Sequence, residues 1–229
     1  MALTLSSNNG MNNQNQGGGI SLSRGTDTTS QNQPRQTGLS LSKGATLSLS
    51  KNEPGLNNVL VGLGWDINKY DGGHDFDLDA SVFMLGENGK VPSNDEFIFY
   101  GQRQHKTGSV VHKGDNRTGQ GDGDDEQIEI TLSEVPSNVS KIVFTTTIHE
   151  AYARRQNFGQ VSNAYIRIIN KDNGNEICRF DLGEDFSIEN SVNVGEIYRY
   201  NGEWKFRAVG AGYANGLEGF VNDFGVILG

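Results

Sequence analysis

The stretch DFDLDASVFML, residues 75–85, sets Asp75, Asp77 and Asp79 at every second position and follows them with the apolar run Val82, Phe83, Met84 and Leu85. Successive side chains of an extended strand point to opposite faces. The spacing therefore predicts a strand with three carboxylates on one face and Phe76 and Leu78 turned to a core. A second acidic stretch, GDNRTGQGDGDDE at 114–126, is too rich in Gly for a helix or a regular strand. It crowds Asp115, Asp122, Asp124, Asp125 and Glu126 into what reads as one loop.

Strand patterns continue outward from residues 75–85. NNVLVGLGWDI, EFIFYG, SVVHKG, EQIEITL, KIVFTTTIH, AYIRIIN, EICRFDL, EIYRYNG and EWKFRAVG all show β-branched or aromatic alternation. The turn dipeptides Asn88-Gly89, Asn173-Gly174 and Asn201-Gly202 punctuate them. Short strands at regular spacing predict an all-β, two-sheet β-sandwich. Helix is confined to short pieces, at Glu150–Gln156 and around Ala214–Gly219.

Residues 1–38 are mostly Asn, Gln, Gly, Ser and Thr. Their sparse apolar side chains cannot offset the entropy of ordering the backbone, which predicts a disordered N-terminal tail before a folded domain at 39–229. A short phrase recurs here, as ISLSRG at 20–25, LSLSKG at 39–44 and LSLSK at 47–51. Its alternation is a strand signature, and the copy at 20–25 reads as a spare.

The chain has 229 residues and a formal charge of −9. That length suits one large β-domain with an appendage. The acidic balance disfavours direct nucleic-acid binding, where Lys and Arg dominate affinity, and suits cations or basic partners. Cys178 is the one cysteine, in a strand-like run, so no intrachain disulfide forms and the thiol reads as buried and structural. No apolar stretch approaches a membrane span and no signal-peptide pattern opens the chain. The expectation is a soluble, cytoplasmic protein.

Like charges as dense as these repel unless something cationic sits among them. Hard oxygen ligands on a Gly-rich loop suit Ca²⁺, which takes roughly 6–8 oxygens; the bland alternative is a solvated acidic loop. The EF-hand pattern fails in both stretches. From Asp75, Ala80 stands where Gly is needed and Gly86 where the bidentate Glu belongs. From Asp115, Arg117 and Gly119 occupy ligand positions. Any site is therefore built from loops at the end of a β-structure, with Asp66, at the end of VGLGWD, as a further contributor. The residues at 74, 105, 112 and 149 are the four His and show no zinc spacing. Gly62-Leu63-Gly64 and Gly210-Ala211-Gly212 read as places of close strand approach rather than phosphate cradles. The pair Arg154–Arg155 reads as a solvated turn or as a contact for an anionic ligand.

Taken in order, SLSKG (40–44), VGLGWD (61–66), DFDLDAS (75–81), GDN (114–116), GDDE (123–126), QNFGQV (156–161), NAYIR (163–167), EWKFRAVGAGY (203–213) and DFGV (223–226) resemble the TerD family of tellurium-resistance and general-stress proteins. The resemblance runs from about Leu39 to the C-terminus. It implies a calcium-binding β-sandwich with its ions between acidic loops, and it carries the ligand role onto Asp66, Asp75, Asp77, Asp79, Asp115, Asn116, Asp124, Asp125 and Glu126. It also implies tellurite resistance, phage inhibition or stress response, and a TerC-type membrane partner or other stress proteins. A slime-mould relative known as a cAMP-binding protein keeps a second role open, that of a cyclic-nucleotide binder using Arg154, Arg155 and the Gly-rich turns. The leading expectation is a non-enzymatic Ca²⁺-binding stress protein; a hydrolase with metal-activated water has the least support.

Overall fold

In the computed structural model, residues 38–66, 74–114, 116, 118, 123–183 and 186–227 are described. The expected tail and the phrase at 20–25 lie outside the described residues. In chain order the elements are β1 (Leu39–Ser40), β2 (Thr46–Ser48), α1 (Leu49–Asn52), β3 (Asn58–Gly64), β4 (Leu78–Leu85), β5 (Phe97–Ile98), β6 (Val110–His112), β7 (Glu126–Thr131) and β8 (Lys141–Ile148). They continue through α2 (Ala151–Arg154), β9 (Tyr165–Asn170), β10 (Glu176–Asp181), β11 (Ser191–Tyr200), β12 (Glu203–Tyr213) and α3 (Gly216–Phe224). Twelve strands form two six-stranded sheets, ordered β1-β10-β9-β3-β7-β6 and β2-β12-β11-β8-β4-β5. The architecture is the expected two-sheet sandwich with short helices.

Alternation decides which side chains face inward. Along β7, Ile128 and Ile130 are buried while Gln127 and Glu129 are only partly covered. Along β3 and β9, Val59, Val61, Leu63, Ile166 and Ile168 point into the same core. From the second sheet, Leu78, Val82, Met84, Ile142, Phe144, Ile197 and Phe206 meet them. Each buried aliphatic or aromatic side chain of this kind contributes about 1.5–3 kcal/mol relative to exposure.

The intervening residues of β4 serve a second, smaller core on the outer face of the second sheet. Phe83 and Leu85 pack there with Val91, Phe97, Val143, Phe220 and Val221, beneath α3. Phe83 stacks on Phe97 at 4.5 Å between ring centroids and meets the Phe224 ring at 4.9 Å. With apolar residues on both faces, β4 reads as a continuous apolar run.

The recurring phrase finds its meaning at the sheet edges. The copy at 39–44 supplies β1, which pairs in parallel with β10. The chain then crosses over, and the copy at 47–51 supplies β2, antiparallel to β12, before turning into α1. The Ser48 hydroxyl caps that helix by accepting from Lys51 N–H. All three Asn-Gly dipeptides are turns with Gly in the left-handed region. Between β11 and β12, Asn201 and Gly202 both have positive φ, as a two-residue hairpin demands.

Replacing Phe83 by Ala removes the ring that joins both aromatic partners of α3. We expect a loss of about 3–5 kcal/mol in urea denaturation. A loss under about 1 kcal/mol would show that α3 docks without this contact.

Candidate functional site at the acidic end of the sandwich

The end of β3, the start of β4, the start of β7 and the end of β8 lie at one end of the molecule, because β3 pairs Leu63 with Glu126 and β4 pairs Leu78 with Ile148. Hydrogen bonds tie the sheets together there. The Trp65 indole N–H donates to Phe76 O at 3.2 Å, and Ala80 N–H donates to Glu126 Oε2 at 2.6 Å. Residues 74–77 precede β4, yet they keep the strand-like alternation: Asp75 is exposed, Phe76 buried, Asp77 half-buried and Leu78 buried. The carboxylates of Asp75, Asp77 and Asp79 thus share a face, as their spacing predicts.

Around β3 a second group assembles. Asp125 accepts from Trp65 N–H through Oδ2 and from the Asn116 amide through Oδ1, both at 2.9 Å. Its pKa is raised, first by burial and then by Asp124 and Asp66, against the opposing Trp65 hydrogen bond. Asp66 itself accepts from the Asn163 side chain at 2.8 Å. Asp115 and Asp122 lie outside the described residues.

Asp124 is engaged differently. Arg167 grips it in a bidentate pair, Nε to Oδ1 at 2.7 Å and Nη2 to Oδ2 at 3.1 Å, and Tyr165 and Gln127 donate to it as well. Its side chain is wholly buried. The space it fills exists because position 62 is Gly: a Cβ there would stand 2.2 Å from the Asp124 carboxyl carbon. Gly64 gives the same room to the Tyr165 ring. The GLG of β3 is therefore a seat for side chains from β9 and the β7 entrance, not a point of strand-to-strand approach. Bidentate pairing anchors Arg167 strongly to this carboxylate, and burial next to it pushes the Tyr165 hydroxyl up to about 12.

Glu126, read from sequence as part of the acidic loop, opens β7 with its side chain 2 % exposed, in phase with Ile128 and Ile130. His112 stands beside it, Nε2 at 3.2 Å from Ala80 O and 3.6 Å from Glu126 Oε2. β5 covers β4 only at Val82 and Phe83, so the exposed-edge N–H and C=O of Ala80 are met by these two side chains from the other sheet. The remaining oxygen, Oε1, is buried with no hydrogen-bond partner. Burial pushes the Glu126 carboxyl up to about 7, with Asp79 adding to it, although His112 and Ala80 N–H pull the other way. Sequence reasoning missed His112. Its signal is the alternation of β6, where Val110 and His112 share the buried face.

On the outer side of β4, His149 Nδ1 lies 3.7 Å from Asp79 Oδ2, and Arg154 Nη1 lies 3.7 Å from Asp77 Oδ2. Arg154 also holds Glu150, while its neighbour Arg155 is exposed in the left-handed cap of α2. The two arginines therefore do not converge on a shared anion pocket. Among the described residues, Cys178 is fully buried, and burial lifts its thiol to about 12, as suits a structural cysteine.

The donor set at this end is carboxylate, amide and carbonyl oxygen, which fits a hard cation such as Ca²⁺ rather than a thiolate-seeking metal. The orphaned Glu126 oxygen and the crowding of Asp125 by Asp66 and Asp124 fit an uncompensated negative site. Among the described residues, no three His, Cys, Asp or Glu side chains converge closely enough to hold a metal by themselves.

The buried Glu126 makes stability depend on pH. Its folded-state pKa of about 7 exceeds the ordinary 4.5, so the folded protein holds this proton more tightly than the unfolded chain. In metal-free protein its contribution is fully present below about 4.5 and is lost as pH rises through about 7, up to roughly 3 kcal/mol. Glu126→Gln should flatten that part of the stability profile in denaturant titrations between pH 5 and 8. An unaltered slope would refute this role.

Comparison with known proteins agrees with this architecture. The TerD domain matches residues 38–224. The chain is 58% identical over 191 residues to General stress protein 16U of Bacillus subtilis (strain 168), covering 83% of this chain and 99% of that protein. It is also 58% identical over 188 residues to the Tellurium resistance protein TerD of Serratia marcescens, covering 82% and 97% respectively. Among solved structures, a Streptomyces coelicolor A3(2) homologue of the telluride resistance protein superposes with a TM-score of 0.57 at 21% identity, over 72% of this chain and 95% of that one, which shows a shared fold. No helix among the described residues is long and apolar enough to cross a membrane. With the domain matched across most of its length and relatives this similar, the chain belongs to the TerD family.

Proposed function

We propose that the chain is a non-enzymatic, cytoplasmic Ca²⁺-binding protein of the stress-response and tellurite-resistance type, whose acidic end takes up the ion and presents a surface to a TerC-type membrane partner or another stress protein. What supports this reading is the placing of Asp66, Asp77, Asp79 and Asp125, from separate segments, at one end of the sandwich, with Asp125 raised in pKa by burial and by neighbouring carboxylates. The names of the relatives, general stress protein and tellurium resistance protein, support the cellular role.

The residues take different parts in this reading. Asp66, Asp75, Asp77, Asp79, Asp125 and the Asn116 amide, together with Asp115 outside the described residues, would hold the ion. Asp124 is gripped by Arg167 and sets the position of its neighbour Asp125. Glu126, bonded to Ala80 N–H, fixes Asp79 and Asp125 on either side of one inter-sheet contact. Bound Ca²⁺ supplies positive charge that offsets the mutual repulsion of these carboxylates. Arg154 supplies part of that charge to Asp77 from within the chain.

Calorimetric titration of chelator-treated protein should show Ca²⁺ binding, with Mg²⁺ weaker because it demands near-octahedral geometry and sheds water reluctantly. At about a hundredfold excess over Kd, Ca²⁺ should stabilise the fold by roughly 2.7 kcal/mol. Asp79→Asn and Asp125→Asn should each weaken binding. A less-than-additive double variant means one shared ion, whereas additive losses of stoichiometry mean two. Identical melting curves in excess Ca²⁺ and excess chelator would overturn the proposal.

A further inference from the structure

On the outer face of the second sheet, between α2 and the start of α3, lies a pocket of about 470 Å³. Among the described residues, six large hydrophobic side chains are markedly exposed, and two of them, Tyr100 (49 % exposed) and Tyr152 (76 %), line this one pocket. Its surface is mostly apolar, with Ala151 and Leu217 contributing. Its lining carries the carboxylates of Asp79, Glu150 and Glu218 and the imidazole of His149, 3.7 Å from Asp79, and includes no Lys or Arg.

The walls are fixed by hydrogen bonds. The Tyr152 hydroxyl donates to Ala214 O, which ties α2 to the loop before α3. Gly216 N–H donates to Asn190 Oδ1 at 2.8 Å, and the Ser191 hydroxyl, 3.1 Å from Gly216 O, pins the same turn from below. Aromatic rings beside carboxylates attract cations, since the ring face carries negative charge and the carboxylate completes the pairing. The first turn of α3 works against this, because a helix N-terminus carries roughly half a positive charge. Glu218 sits in that turn and offsets it, Arg154 offsets Glu150 from outside the lining at 3.3 Å, and Asp79 leaves the pocket negative. An anionic ligand such as a cyclic nucleotide would meet net repulsion here.

We infer that this pocket is a docking site for a basic peptide segment, which inserts an Arg or Lys side chain between Tyr100 and Tyr152 and against the carboxylates. The inference names the partner chemistry for the interaction surface proposed above. It does not need the ion, so its test is run on chelator-treated full-length protein, where failure of Ca²⁺ binding has no effect on the outcome. N-acetyl-arginine amide, titrated by NMR, should give saturable shifts at Tyr100, Tyr152 and Leu217. Glu218→Gln and Tyr152→Ala, both at exposed positions outside the proposed ion ligands, should each weaken it by about three- to fivefold. Absence of saturable shifts, shifts of equal size with neutral N-acetyl-glutamine amide, or tighter binding of cAMP at the same residues would each overturn the inference.

Discussion

The Glu126 carboxylate reaches from the first sheet to accept the Ala80 amide of the second, and much of the acidic end depends on this bond. It closes a stretch of β4 that β5 leaves uncovered, and it does so together with His112. A backbone group left unpaired in such a buried position would cost about 1–3 kcal/mol. In turn the bond sets Asp79, next to Ala80, and Asp125, next to Glu126, at neighbouring positions on two different sheets. The carboxylate accepts burial, an orphaned oxygen and a raised pKa as the cost of that arrangement. The sandwich tolerates this local penalty because the core, the apolar interior that includes Val59 and Phe206, is far larger.

Neutralisation within the acidic end is uneven. Asp124 receives a full bidentate partner and two further donors, Tyr165 and Gln127, in a pocket prepared by Gly62. Its charge is matched within the chain. Asp125, its neighbour, receives an amide and a backbone N–H among the described residues and has its charged form disfavoured. Two adjacent aspartates in one sequence run therefore have opposite characters, set by partners in distant segments.

The sheets were legible from sequence because their alternation is strong: nearly every run rich in β-branched and aromatic residues became a strand. EFIFYG yields only Phe97–Ile98, because Phe99 turns back to pair with Gln102. The helix expected near Ala214–Gly219 extends to Phe224, since Phe220 and Phe224 lie one turn apart and both face the second core. At the acidic end, the common face of Asp75, Asp77 and Asp79 followed from their spacing alone. The burial of Glu126 was available in the phase of EQIEIT but hidden by the acidic run before it. The capture of Asp124 was not legible, because Arg167 is 43 residues away and only the fold brings them together.

The two seated copies of the SLS phrase carry a further consequence. Each lies along an outermost strand, one beside β10 and the other beside β12, and both come from a single stretch of ten residues, 39–48. A proteolytic nick or truncation that removed this stretch would uncover hydrogen-bonding edges on both sheets at once. Bare edges are templates for pairing with other chains. This short, serine-rich stretch therefore guards two edges at once, and its loss would leave the sandwich prone to edge-to-edge polymerisation.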